Sequence, residues 1–258
     1  MAIRYTKKEE IWNASSHGGG ILLGVIFGVI FLVWCFHSDN NWARVGVILY
    51  LFGMLGSYIA STLYHALPAY ERYKVGDSST SEAAEPSGKS PSTGPGGILG
   101  HRSKWKERLR KWDHAAIYWH IAGSYSPLTL TALLQTNYQL SILHCQLSVG
   151  WSLFSFVWAC AIAGTIVSFI RLKEHSNVET FCFVGMGLSI LVAFKPLMDS
   201  VSAAAIIWLI AEGVCYISGA VFYSLNKKKY MHSVFHFFVL AGSVCHIIAV
   251  WDVLMEQL

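Results

Sequence analysis

The sequence predicts an all-α integral membrane protein: a seven-transmembrane helix bundle with the N-terminus cytoplasmic and the C-terminus outside. Three observations lead there. Hydrophobic residues make up 54% of the 258 positions and charged residues only 13%, with a mean hydropathy of +0.45, well outside the range of soluble domains. Long stretches such as 11–38, 45–70 and 114–170 contain no Asp, Glu, Lys or Arg, and roughly 20 such residues suffice to cross a bilayer as a helix. Finally, Lys and Arg are distributed asymmetrically among the connections.

The spans are expected at about 18–37, 45–67, 114–135, 145–170, 178–197, 201–223 and 232–254. The opening "MAIRYTKKEEIWN" lacks an apolar core followed by a small-residue cleavage site, so the first span is expected to serve as its own uncleaved insertion signal. The 114–170 run is too long for one helix, and the polar "QTNYQ" at 135–139 divides it into a third and a fourth span. Pro127 lies inside the third span, where a kink is expected. Pro196 lies at the end of the fifth, as a stop signal. No internal repeat of the kind that builds transporters is evident.

Seventeen of the nineteen Lys and Arg fall at the N-terminus or in the 2–3, 4–5 and 6–7 connections; only Arg44 and Lys195 lie on the other side. The positive-inside rule then fixes the orientation, which is opposite to that of rhodopsin-type receptors. The chain reads as a single membrane domain, 1–258, with one insertion between helices 2 and 3. That insertion, 76–100, begins "GDSSTSEAAEPSGKSPSTGPGG" and is expected to be a disordered cytoplasmic loop, because it has almost no bulky apolar residue with which to build a core. Next comes "HRSKWKERLRKW", with Trp105, Leu109 and Trp112 at helical spacing among basic residues. It reads either as an interfacial helix on anionic lipid or as the charged flank of the third span. The six cysteines form no CxxC pair and read as small membrane-helix residues.

Orientation sorts the polar residues by depth. His65 closes span two, Asp113 opens span three, and His232 and His236 open span seven, so a carboxylate and three imidazoles arrive at one cytoplasmic level. Histidines at i and i+4 share a helix face about 6 Å apart along the axis, a spacing at which both rings reach one ion. With His65 they form a three-histidine set for zinc that leaves a fourth position open, the arrangement of catalytic rather than structural zinc. Asp113 is placed to orient a ligand or accept a proton, and Ser61, one turn before His65, to hydrogen-bond water or a substrate carbonyl. A lone membrane histidine is usually a helix-to-helix hydrogen bond; four ionisable groups at one depth argue for a shared role. His17 either joins this region or packs a helix. His120 either lines a cavity above the site or packs with its aromatic neighbours. His246, about 15 Å beyond His236, reads as structural, and Glu212 needs a partner or a role that the sequence leaves open.

"STLYH" closing span two, "DHAAIYWHIAGSYSP" opening span three, "GVCYISGAVFYSLNKKKYMHSVFHFFVLAGSVCH" across spans six and seven and the N-terminal "EEIWNASSHGGG" resemble the hemolysin III and progestin and adipoQ receptor family. The short length is closest to its hemolysin III branch. The resemblance covers nearly the whole chain and implies a zinc ion held at the cytoplasmic side by His65, His232 and His236, with Asp113 and Ser61 as the associated acid and hydroxyl. It also groups the chain with alkaline ceramidases among membrane hydrolases. The 76–100 insertion looks longer than is usual for that branch. Three functions follow as expectations: zinc-dependent hydrolysis of a membrane lipid amide or a part in membrane-lipid homeostasis; a seven-helix receptor or sensor with a structural zinc; and, last, a pore-forming cytolysin. The partners expected are the bilayer and a lipid substrate or ligand, with no nucleic acid.

Overall fold

The computed structural model describes residues 5–67, 98–140, 145–171, 177–225 and 228–258. Most of the insertion expected at 76–100 lies outside them.

Helix α1 runs Lys7–His37, beginning three turns before the apolar run. Its start is set by a capping box: Glu9 N donates to Thr6 Oγ1 at 3.3 Å, and Thr6 N donates to the Glu9 carboxylate at 2.8 Å. The expected start at 18 marked where apolarity begins rather than where the helix begins. One face of α1 is buried along its whole length, from Glu9, Asn13, Ser16 and His17 through Gly20, Gly24 and Gly28 to Phe31 and Cys35. Helix α2, Asn41–Ala66, starts at an Asn40 cap that accepts from Ala43 N at 3.0 Å.

Helix α3, Ile98–Leu130, takes in the basic run and the third apolar segment as one 33-residue helix with Pro127 inside it. It packs on α2 backbone to backbone: a Cβ on Gly123 would sit 3.1 Å from the Gly53 Cα, and one on Gly53 would strike the Trp119 carbonyl. Only residues without a side chain allow that approach.

α3 ends at Leu130 rather than 135. It gives way to turns and then to a hairpin, β1 Asn137–Leu140 paired antiparallel with β2 Cys145–Ser148, Asn137 opposite Ser148. This short sheet departs from an all-helical fold and moves the start of α4 from 145 to Val149, the helix running Val149–Arg171. Val149 N donates to Thr136 O at 2.8 Å and Gly150 N to Leu133 O at 3.1 Å, tying the start of α4 to the turns that follow α3.

The fifth apolar segment is not one helix. It comprises α5 Asn177–Gly187, a 3₁₀ stretch Leu188–Ala193 and α6 Phe194–Ser200. The break coincides with the Tyr125 hydroxyl of α3, which accepts from Ile190 N at 3.0 Å and lies 2.5 Å from the Gly187 carbonyl. Pro196 does not end this segment. It occupies the first turn of α6, where a missing N–H costs nothing, and the helix continues to Ser200. Helix α7 is Ala203–Ser224 and α8 is Met231–Gln257. Tyr230 precedes α8 at φ 64, a left-handed conformation uncommon for a non-glycine residue, and its N–H donates to Glu9 Oε1 at 2.7 Å.

Among the described residues, six helical stretches are long and apolar enough to cross a membrane by length and composition: Lys7–His37, Asn41–Ala66, Val149–Ile170, Val178–Ser200, Ala203–Ser224 and Met231–Gln257. Their outward faces are apolar. Val192 is 79% exposed and Phe181 76%, which makes sense against lipid and not against water. Inside, one apolar core joins α1, α2 and α8 around Tyr50, Met54, Tyr58 and Val250. A second joins α3, α4 and α5 around Tyr118, Leu133, Val157 and Met186.

Candidate metal centre

α2 delivers His65 on its last turn, and α8 delivers His232 and His236 on its first two. One ring nitrogen from each lies within 4.8 Å of the others, and all three residues are buried. Nε2 of His232 is 3.0 Å from Nε2 of His236 and 3.4 Å from Nε2 of His65. Zinc–imidazole bonds of 2.0–2.1 Å in tetrahedral geometry place ligand nitrogens about 3.3 Å apart.

Nδ1 of His65 lies 2.6 Å from Glu10 Oε2, and a ring that donates Nδ1–H to that carboxylate leaves the Nε2 lone pair for a ligand. His232 Nε2 faces the other two nitrogens at once, and a single proton serves only one of those contacts. One cation held between them would satisfy all three nitrogens. Glu10 is itself held by Lys106 Nζ at 2.9 Å, forming the carboxylate–histidine arrangement that orients metal-binding imidazoles.

The N-terminal end of α1 supplies the rest of the enclosure. Tyr5 stacks on His232 with ring centroids 4.8 Å apart, and its burial pushes the phenol pKa up, away from ionisation. Asn13 stands 3.5 Å from His65 Nδ1 and accepts from Ser233 Oγ at 2.6 Å. Ser16 Oγ lies 3.5 Å from Nδ1 of His236. His17 stacks on His236 at 3.8 Å, and neither of its ring nitrogens has a hydrogen-bond partner among the described residues.

A cavity of about 300 Å³ opens from the triad into the bundle, and His17, Ser61, Asp113, His120, His232 and His236 are among the residues lining it. Ser61 is buried with its hydroxyl unpartnered among the described residues. Asp113 shares the cavity but makes no hydrogen bond or ion pair among the described residues. Deeper in, Ser243 Oγ of α8 gathers three helices: it accepts from Tyr58 OH of α2 at 2.7 Å and lies 3.2 Å from His120 Nε2 of α3 and 3.1 Å from Tyr216 OH of α7. Glu212 has its partner in His246, Nδ1 to Oε2 at 2.8 Å, and both line the same cavity.

The three histidines expected to meet do so, and His17, for which helix packing remained open, stands against them. Glu10, Asn13, Ser16 and Tyr5 were not expected there. One signal for them was available: Thr6-x-x-Glu9 is a capping-box pattern, and a helix begun at residue 7 carries Glu10, Asn13 and His17 along one side.

The sequence profile described as "Haemolysin-III related" matches residues 5–78 and 98–247. The hemolysin-3 homolog of Bacillus subtilis (strain 168) is 29% identical over 239 residues, covering 93% of this chain and 91% of its own. The hemolysin-3 of Bacillus cereus is 28% identical over 236 residues, 92% of this chain and 87% of its own. The human monocyte to macrophage differentiation factor is 24% identical over 226 residues, 85% and 75%. With these likenesses and the apolar helical stretches among its described residues, the chain is an integral, multi-pass membrane protein and belongs to the haemolysin-III-related family.

Proposed function

We propose that the chain is a zinc-dependent hydrolase of a membrane lipid, an amide by preference, with the ion held by His65, His232 and His236. The reading rests on the convergence of three buried imidazole nitrogens in front of the Glu10 carboxylate. Zinc in a three-histidine site supplies Lewis acidity and makes a water acidic enough to ionise near neutral pH. The protein's own groups carry the rest. Glu10 fixes the His65 ring. The Asp113 carboxylate, on the cavity wall, takes up a proton from water and returns it to the leaving amine. The free Ser61 hydroxyl donates to the substrate carbonyl. The apolar cavity wall receives an acyl chain and keeps bulk water out.

In the same reading α3 is a seventh crossing, with its basic half at the cytoplasmic edge, which puts the triad and the N-terminus on the cytoplasmic side. Thiol labelling of single cysteines placed at 38 and 228 tests this: only the second is expected to react from the cytoplasm.

One observation favours a second reading, a sensor with a structural ion. Ser243 links α2, α3, α7 and α8 at one point, a coupling suited to helix movement. Two measurements decide. Metal analysis is expected to find about one zinc per chain, lost in His65→Ala and His236→Ala. Zinc-loaded wild type is then expected to cleave a lipid amide, and Asp113→Asn to bind zinc without cleaving. Zinc binding with no turnover in wild type would overturn the hydrolase in favour of the sensor; a wild type without zinc would overturn both.

A further inference from the structure

Away from the triad, the cavity has a second polar level. Glu212 of α7 and His246 of α8 are paired at 2.8 Å, with side chains 12% and 3% exposed. His246 lies ten residues beyond His236, about 15 Å along the helix axis, too far to share an ion with it. A carboxylate at this depth is costly without a partner, and His246 is the one hydrogen-bond partner of Glu212 among the described residues.

The unfilled hydrogen-bonding capacity indicates a further partner. His246 Nδ1 faces Glu212 Oε2 at 2.8 Å, and a neutral ring that donates Nδ1–H there presents Nε2 as an acceptor. Nε2 is buried and has no partner among the described residues. The second Glu212 oxygen is an acceptor too. Around them the lining is one-sided. Among the described lining residues Asp113 and Glu212 are the carboxylates, and none is a lysine or arginine. Between the polar groups the wall is aliphatic and aromatic, with Leu128, Leu188, Leu191, Phe194 and Leu209. A volume of about 300 Å³ is in the range of small-molecule sites.

A buried carboxylate beside an imidazole nitrogen with no partner among the described residues suits a ligand that brings donors and positive charge. A carboxylate head would be repelled by Glu212. A hydroxyl supplies one donor and leaves the charge uncompensated. An ammonium supplies three donors and the charge. We propose that Glu212 and His246 form a head-group site for a long-chain primary amine, whose aliphatic chain lies along the apolar wall. The site is separate from the metal centre and stands whether or not the triad performs hydrolysis.

The test is calorimetric titration of the full chain in zwitterionic-lipid nanodiscs with n-dodecylamine, n-dodecanol and n-dodecanoate, with empty nanodiscs as the blank. Saturable binding of about one dodecylamine per chain is expected, with dodecanol and dodecanoate at least about tenfold weaker, the ratio set by losing one charged hydrogen bond. Glu212→Gln, which preserves shape, is expected to weaken the amine by the same factor, and His246→Leu likewise. His236→Ala, which removes a triad member, is expected to leave it unchanged. Amine binding no better than that of dodecanol, or unaltered in Glu212→Gln, would overturn the assignment. Should Glu212→Gln fail to elute as a monodisperse species, the wild-type preference for amine over alcohol decides alone.

Discussion

Glu10→Gln isolates the part of the metal centre that lies outside the apolar segments. The substitution keeps the size and planarity of the side chain and removes its charge. In the wild type the carboxylate accepts Nδ1–H of His65 at 2.6 Å and is itself paired with Lys106 at 2.9 Å. A hydrogen bond to a charged group contributes about 1.5–3 kcal/mol, and about 1.4 kcal/mol corresponds to tenfold in affinity. Loss of the charge behind His65 is therefore expected to weaken zinc binding about 10- to 100-fold, the range found for partners that orient ligating histidines. Stoichiometry at saturating metal should stay at about one per chain, because the three nitrogens remain. The assay is competition against a chromophoric zinc chelator with detergent-purified protein. Asp113→Asn is the control, since Asp113 touches none of the triad through a hydrogen bond and is expected to change affinity less than about threefold. Equal affinity in wild type and Glu10→Gln would refute the reasoning, as would a larger effect from Asp113→Asn.

Three further outcomes are expected. Gly53→Ala drives a methyl into the Trp119 carbonyl at the closest approach of α2 and α3; it should cost about 1–3 kcal/mol as overpacking, read as a lower thermal midpoint in detergent. Thr6→Ala removes the cap of α1 and about 1 kcal/mol with it, so amides at residues 6–10 should exchange faster while the rest of α1 stays protected. His246→Leu removes the hydrogen bond to the Glu212 carboxylate and should destabilise by about 1.5–3 kcal/mol, whereas adding Glu212→Gln to it should recover most of that loss, as measured by a double-mutant cycle.

The triad was legible because its information is local: His232 and His236 are one turn apart, and the charge count brings His65 to the same depth. Glu10 and Tyr5 were not, because hydropathy marks where a helix becomes apolar. The first three turns of α1 bury polar residues, Glu9, Asn13, Ser16 and His17, on one face, which a hydropathy profile scores as outside the membrane. The break at Leu188–Ala193 was hidden for a different reason. Its cause is a hydroxyl on α3 meeting backbone groups of another segment, a contact distant in sequence that leaves no mark on the apolar run itself. Glu212 was recognisable as a residue needing a partner, but the thirty-odd positions separating it from His246 put that partner beyond the reach of periodicity.

Ser243 has a mechanical consequence. Four helices meet at one small oxygen, so they can tilt about that point while keeping their hydrogen bonds, but none can slide along another by a turn, about 5.4 Å, without releasing its grip. Tilting about Ser243 is the movement that keeps all three of its contacts.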